Sequence, residues 1–360
     1  MPAGSAAVAA KPGAKDAHGK PAALVLPFTR VAKEHTEQIA FDTSTVMSTA
    51  SQGPFSIEVP ATGYLRNVVL IVNVTGGVGA SAAAPDSPWN VLTNITLTDA
   101  GGAPIVEAID GYELYLIAKY GGYVFAPDPA LQASFSNTIA TNGNFAFAIR
   151  VPVEVGAGVA ALANMNAAQP YRLNYRVNAS ATVYTTSPTT LPTVRVRAVL
   201  ESWTSPADGS TPPMYGATQL WSKQVYTINS GANTTRLQRV GNTIRNLLLI
   251  HRDSTGARSA LLMPDPVTLA FDQRQQHVTP RAIRQLYATE RYGFASLDVG
   301  VDNIDYTHDW DNHPGGAELH DLWMVSSQAT RLEIQGVYGA AGTLTVLTND
   351  LIIPASAAGV

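Results

Sequence analysis

"YLRNVVLIVNV" (residues 64–74) and "TIRNLLLIHRD" (residues 243–253) decide how this chain is read. Both are strand-length runs rich in Val, Ile and Leu. The second repeats the first 179 residues later, counting from 64 to 243. Other pairs recur in the same order. "ITLTDAGGAPI" (95–105) stands beside "VTLAFDQRQQHVTP" (267–280), and Ala108-Ile109 beside Ala282-Ile283. Tyr120-Gly121 matches Tyr292-Gly293, and "YRLNY" (171–175) matches "TRLEI" (330–334). Short apolar strings recur by chance in β proteins, so a single irregular β protein is the competing reading. The shared order favours an internal duplication, two copies of one β-sandwich with a helix in the same connection.

The remaining text agrees with β structure. "TVRVRAVLESW" (193–203) alternates with period two, with Val194, Val196, Ala198 and Leu200 on one face. "FAFAIRVPVEV" (145–155), "YRLNYRVNASATVY" (171–184), "KQVYTI" (223–228) and "GTLTVLTNDLII" (342–353) read similarly. The 29 Gly and 23 Pro supply turns. Two stretches carry helical spacing. "PIVEAIDGYELYLIAKYGG" (104–122) places Ile109, Tyr112, Leu116 and Tyr120 on one face and stops at Gly121-Gly122. "TPRAIRQLYATERYGF" (279–294) starts on Thr-Pro, carries Ile283, Leu286, Tyr287 and Arg291, and stops at Gly293.

Between the copies, "SWTSPADGSTPPMYGATQ" (202–219) reads as a linker. The predicted organisation is an arm at 1–35, a sandwich at 36–205, a linker at 206–217, a sandwich at 218–354 and a tail at 355–360. The arm is rich in Ala, Gly, Pro and Lys and lacks the apolar core of a signal peptide. No apolar run approaches the ~20 residues that span a bilayer as a helix.

Composition excludes several functions. Apolar residues make up 46% of the chain and charged ones 14%, enough for a large core and suggestive of surface buried against a partner. A net charge of −4 and a pI near 6.0 argue against a general nucleic-acid binder, which needs a dense basic face. Without cysteine there are no disulfides, thiolate metal sites or Cys nucleophiles. The text holds no phosphate loop, dinucleotide fingerprint, nucleophile elbow or H-E-x-x-H.

Residual candidates each have a plain alternative. "YTHDWDNHPGGAELHD" (306–321) carries His308, Asp311, His313 and His320 among its imidazoles and carboxylates, which could hold Zn²⁺, Mn²⁺ or Fe²⁺. It also reads as a polar loop with Asp-Asn and Pro-Gly-Gly turns. Its first two histidines are five apart, unlike the His-x-His of a two-barrel bicupin enzyme. Trp89, Trp203, Trp221, Trp310 and Trp323 could form a sugar platform, but their scatter suits packing. Lys11, Lys15 and Lys20 could touch phosphate, from lipid or nucleic acid, or simply solvate the arm.

Tandem sandwiches, an arm, a Pro-rich linker and no catalytic set resemble the double jelly-roll major capsid proteins of icosahedral viruses. The nearest resemblance is to tectivirus-like bacteriophages, which enclose an internal membrane. It is carried by "IEVPATGYLRNVVLIVNVTG" (57–76) and "PWNVLTNITLTDAGGAPIVEAIDGYELYLIAKYGG" (88–122), through Asn90, Leu92, Ile95, Leu97, Asp99, Gly102 and Ile105. It extends over about residues 36–354. The second copy departs from it where "DQRQQHVTP" (272–280) replaces the "DAGG" turn.

The resemblance implies an all-β fold of two tandem eight-stranded jelly rolls, each with a short helix, plus an N-terminal arm. It implies a self-assembling capsid protein without cofactor. Homotrimers with a pseudo-hexagonal outline would tile an icosahedral virion shell. The arm, through Lys11, Lys15 and Lys20, would meet neighbours or the internal membrane. Minor capsid or vertex proteins would be further partners, and no specific nucleic-acid binding is expected. Leu65, Val69 and Ile71, and Ile244, Leu248 and Ile250, are the expected core of the repeated strands. The alternatives are a two-domain β-sandwich carbohydrate-binding protein and a bicupin-type metal enzyme.

Overall fold

The computed structural model describes residues 32–123, 128–155, 158–205, 218–272, 274–293, 297–307, 324–326 and 330–352. Sixteen main strands form two sandwiches. The first holds β1 (Glu34–Val46), β2 (Gln52–Glu58), β3 (Tyr64–Thr75), β4 (Leu92–Thr98), β5 (Pro104–Ile109), β6 (Asn144–Pro152), β7 (Arg172–Val177) and β8 (Thr193–Trp203). The second holds β9 (Thr218–Ile228), β10 (Gly231–Leu237), β11 (Thr243–Asp253), β12 (Val267–Phe271), β13 (Arg274–Thr279), β14 (Val301–Asp305), β15 (Leu332–Tyr338) and β16 (Gly342–Ile352). Helix α1 (Gly111–Tyr120) lies between β5 and β6, and helix α2 (Arg281–Tyr292) between β13 and β14.

Strand order is the same in both copies. In the first, β1-β8-β3-β6 form one sheet and β2-β7-β4-β5 the other. In the second, β9-β16-β11-β14 and β10-β15-β12-β13 repeat that order. Adding eight to a strand number in the first copy gives its counterpart in the second. Every pair within a sandwich is antiparallel, and the arrangement is a jelly roll. Four of the five repeated strings fall on counterpart elements: β3 with β11, the β4–β5 hairpin with the β12–β13 hairpin, the ends of α1 and α2, and β7 with β15; Ala108-Ile109, at the end of β5, and Ala282-Ile283, inside α2, do not correspond. The duplication is therefore topological as well as textual.

The second half of the stretch read as one helix over 104–122 is helical, whereas 104–109 is strand β5. Asp99 makes the hairpin turn that separates it from β4: its carboxylate accepts from Ala103 N–H at 2.7 Å. Asp110 then starts α1, its N–H donating to Glu113 Oε2 at 2.8 Å, and Gly121 ends it. Helix α2 ends on Gly293 in the left-handed region, at φ 71°.

The repeated strands differ in burial. In β3 the inward face runs Leu65, Val68, Leu70, Val72 and Val74, all buried, while Val69 and Ile71 are half-buried on the outer face. The expectation that Val69 and Ile71 belong to the core face is corrected here. The cause is a register irregularity against β8 at Glu201/Ser202, beside Leu65 and Asn67. One extra residue flips the side-chain parity downstream. In β11 the same irregularity recurs between Ile244 and Asn246. Ile244, Leu247 and Leu249 accordingly pack inside the second sandwich. Leu248 and Ile250 point the other way, yet they too are buried, in the hydrophobic cluster of the first sandwich. Nine consecutive residues, Thr243 to His251, are buried, so this strand is covered on both faces.

Truncating either face of β11 should therefore cost core-scale stability. Leu248→Ala and Leu249→Ala are each expected to lose about 2–5 kcal/mol in urea denaturation. A loss under about 1 kcal/mol for Leu248→Ala would contradict two-sided burial.

Candidate functional site

The outer face of β11 is covered because the two sandwiches meet there, and this joint gathers the densest set of polar contacts between the copies. It begins as a sheet. β9 runs parallel beside β5, with Trp221 opposite Val106, and joins four strands of each copy into one continuous sheet. Behind this seam the cluster of the first sandwich takes in Trp221, Leu248, Ile250, Val301 and Leu347 of the second.

Helix α1 is the piece that fills the joint. Nine of its ten residues are buried. Its last turn is held by the second copy from a strand, a helix and a loop. Asn246 of β11 donates to Tyr120 O at 2.7 Å, and Tyr292, the last residue of α2, donates to the same carbonyl at 2.9 Å. The Tyr120 and Tyr292 rings meet edge to face with centroids 5.7 Å apart. The counterpart ends of the repeated helices thus touch each other. Tyr120 Oη donates to Asp298 at 2.6 Å, and Lys119 reaches Asp298 at 3.0 Å and Asp128 at 3.1 Å. Gly122 follows with φ 67°; a Cβ there would land on Thr307, so only glycine allows this approach.

Around the seam, Trp221 Nε1–H donates to Tyr123 Oη at 2.6 Å, and Tyr123 donates to Gln219 Oε1 at 2.9 Å. Gln219 in turn donates to Val153 O at 2.6 Å, and Asn349 donates to Gln219 at 3.1 Å. Arg245, with no exposed surface, donates to Asn349 Oδ1 at 2.5 Å and lies 5.5 Å from the Tyr123 ring. Burial pushes the Arg245 guanidinium below its ordinary value.

At the start of α1, Lys223 of β9 contacts Asp110 at 2.9 Å and Glu113 at 2.7 Å. Burial works to lower Lys223, but the two carboxylates beside it hold it above its ordinary value. Burial alone would raise Asp110; Lys223 and the Thr93 hydroxyl, donating at 2.5 Å, keep it below 3.8. Glu113, buried more deeply, is raised by desolvation. Asp86 closes the joint by accepting from Arg252 and Arg258, each at 2.6 Å.

These charges neutralise one another within the joint. Such an arrangement can hold the two sandwiches in one geometry. A groove of about 850 Å³ lies between β1 and β2, lined by Ile39, Phe41, Val59, Pro60 and Pro170. Its charged groups, Glu58 and Arg172, pair with each other at 3.2 Å. Among the described residues no group of three or more His, Asp or Glu is placed to hold a metal. His308, Asp311, His313 and His320 lie outside the described residues, as do Lys11, Lys15, Lys20, Trp310 and Trp323. Trp89, Trp203 and Trp221 are buried and form no exposed platform.

The second helix forms where the sequence places it, but its apolar residues Ile283, Leu286 and Tyr287 are exposed. The helix is anchored instead by Arg284, whose Nε–H donates to Asp302 Oδ1 at 2.7 Å, with Ala288 buried beside it. A buried arginine with a matched carboxylate takes the inward position, so the apolar residues turn outward.

No protein-family model and no curated protein matches the sequence. Solved structures do. The chain is similar to the STIV MCP, with a TM-score of 0.63 and 11% identity over 91% of this chain and 99% of that one. It is similar to a chain in the atomic structure of Sulfolobus Turreted Icosahedral Virus, with a TM-score of 0.64 and 11% identity over 89% and 91%. It is also similar to the major capsid protein P2 from Bacteriophage PM2, with a TM-score of 0.56 and 11% identity over 90% and 98%. The fold is a double jelly roll.

The Asp110–Lys223 contact makes the joint sensitive to acid. Asp110 binds its proton less tightly folded than unfolded, so its contribution is complete above 3.8 and fades as pH falls through the lower folded value. Asp110→Asn should lose about 1–2 kcal/mol at pH 7. The gap from the parent should shrink as pH falls below 3.8 in urea titrations. A gap independent of pH would contradict the assignment.

Proposed function

We propose that this chain is a major capsid protein, a building block whose work is assembly and not catalysis. One observation carries the reading most: two jelly rolls of identical strand order, joined by a continuous sheet. A doubled sandwich of this kind is a tile with two similar ends. Three such chains offer six sandwiches and a pseudo-hexagonal outline that can cover a curved shell. The likeness to capsid proteins over about nine-tenths of the chain supports the same reading.

On this reading the protein resides in the icosahedral shell of a virion, with other copies of itself as principal partner and minor capsid or vertex proteins at shell junctions. The segment before β1 serves as an arm beneath the shell, where Lys11, Lys15 and Lys20 meet neighbours or an internal membrane; its boundary moves from 35 to before Glu34, which pairs with Trp203 in the sheet. Residues 206–217 link the jelly rolls, and 355–360 form a tail. The carbohydrate-binding alternative gains no support from Trp89, Trp203 and Trp221, which are buried.

Light scattering on the purified chain tests the reading. The expected mass is three times 38.0 kDa. A stable monomer at all concentrations would contradict it.

A further inference from the structure

Lys119, in the last turn of α1, brings a primary amine into the joint and is itself buried. Its Nζ lies over two aromatic rings, 5.4 Å from the centre of Tyr115 and 5.4 Å from that of Tyr120. Beneath that cover two carboxylates reach the same nitrogen, Asp298 at 3.0 Å and Asp128 at 3.1 Å. Asp128 belongs to the first sandwich, and Asp298 stands just before β14 of the second. An ammonium and a carboxylate differ from an amide by one water. In open solution the ion pair prevails. Where the two groups are held in contact and water is kept away, condensation becomes accessible.

The two carboxylates are not equivalent. Asp128 is fixed in place: its Oδ1 accepts from Ala130 N–H at 2.9 Å and from Tyr115 Oη at 3.2 Å. Asp298 Oδ2, which faces Lys119, also accepts from Tyr120 Oη at 2.6 Å. Burial, and then the Asp298 charge, raises Tyr120 far above its ordinary value, so this phenol stays a donor. Among the described residues Asp298 Oδ1 receives no hydrogen bond, and the side chain is 23% exposed, which leaves a released water an exit.

We propose that Lys119 and Asp298 condense to an amide after folding, a covalent bond between the two sandwiches. Lys119 Nζ is the nucleophile and Asp298 Cγ the electrophile. Asp128 takes a proton from the ammonium and delivers it to Asp298 Oδ1, which frees the nitrogen lone pair and makes a neutral acid. Both carboxylates touch the same nitrogen, so this path is short. The lone pair attacks Cγ, the C–N bond forms, and the carbonyl π pair moves onto Oδ2. Tyr120 holds that oxyanion. Asp128 then removes a second proton from nitrogen and gives it to Oδ1. The pair on Oδ2 re-forms the carbonyl, the Cγ–Oδ1 bond breaks, and Oδ1 leaves as water. One ammonium and one carboxylate become one amide and one water, and Asp128 ends as it began. The bond ties α1 to the residues before β14, so the sandwiches stay joined when the hydrogen bonds of the joint open. None of this depends on the capsid reading.

Intact-mass spectrometry of the denatured full chain tests the proposal. The expected mass is one water below that of the sequence. Trypsin should release residues 67–150 joined to residues 292–331, because an acylated Lys119 is no longer a cleavage point. Lys119→Arg, which keeps the charge, should show the full mass. Asp128→Asn keeps the shape and removes the proton carrier, so condensation should slow about a hundredfold and the mass should fall gradually on incubation. A full mass in a parent chain that unfolds cooperatively overturns the proposal, as does a lost water that maps within a single peptide. An Asp128→Asn chain that condenses as fast as the parent overturns the role given to Asp128.

Discussion

The second sandwich depends on a strand with no solvent face. In β11, Leu247 and Leu249 serve one core and Leu248 and Ile250 another. A strand buried on both sides needs a cover on each, so the second jelly roll is complete only when the first lies against it. The parallel seam between β5 and β9 fixes where that cover sits. Polar contacts then fix its angle: Asn246 on the α1 carbonyl, Lys223 between two carboxylates, and Asp86 between two arginines. Apolar burial supplies the bulk of the stability here. The polar groups define one docking geometry, because each would be costly to leave unpaired when buried.

Duplication lets the copies diverge on the sides that differ in use. The cross-strand pair Leu248–Leu347 in the second copy is Val69–Val199 in the first. On the first copy's outer face, ion pairs such as Arg150–Glu201, at 2.9 Å, take part of the space. The helices diverge in the same sense. α1 carries Tyr112, Leu116 and Tyr120 inward against both sandwiches, while α2 spends its buried position on Arg284 and turns its apolar stripe outward. The fold is repeated, and the surfaces are specialised by a few substitutions on a shared frame.

Much of the frame is legible in the sequence. All the repeated strings but Ala108-Ile109 with Ala282-Ile283 fall on topologically equivalent elements, because core strands and the helix between them carry the strongest apolar patterns. β1 is harder to read: "EHTEQIAFDTSTV" is mostly exposed and polar, so burial writes little into it. The faces of β3 were misassigned because a bulge is silent in a period-two reading. The orientation of α2 is not legible in the sequence, because an apolar stripe at helical spacing does not tell a covered face from an open one. The joint itself was not foreseen. An unbroken apolar run does not mark it: "LLLI" at 247–250 is covered on both faces, while the longer "VVLIV" at 68–72 has Val69 and Ile71 only half-buried.

The most direct test of this account is scanning calorimetry of the full chain. Two sandwiches that share a strand face and a continuous sheet should unfold together, in one transition whose van't Hoff and calorimetric enthalpies agree per cooperative unit. Leu248→Ala should lower that transition without splitting it. Two separate transitions in the parent, each with the enthalpy of a single sandwich, would contradict the claim that the second jelly roll is completed by the first.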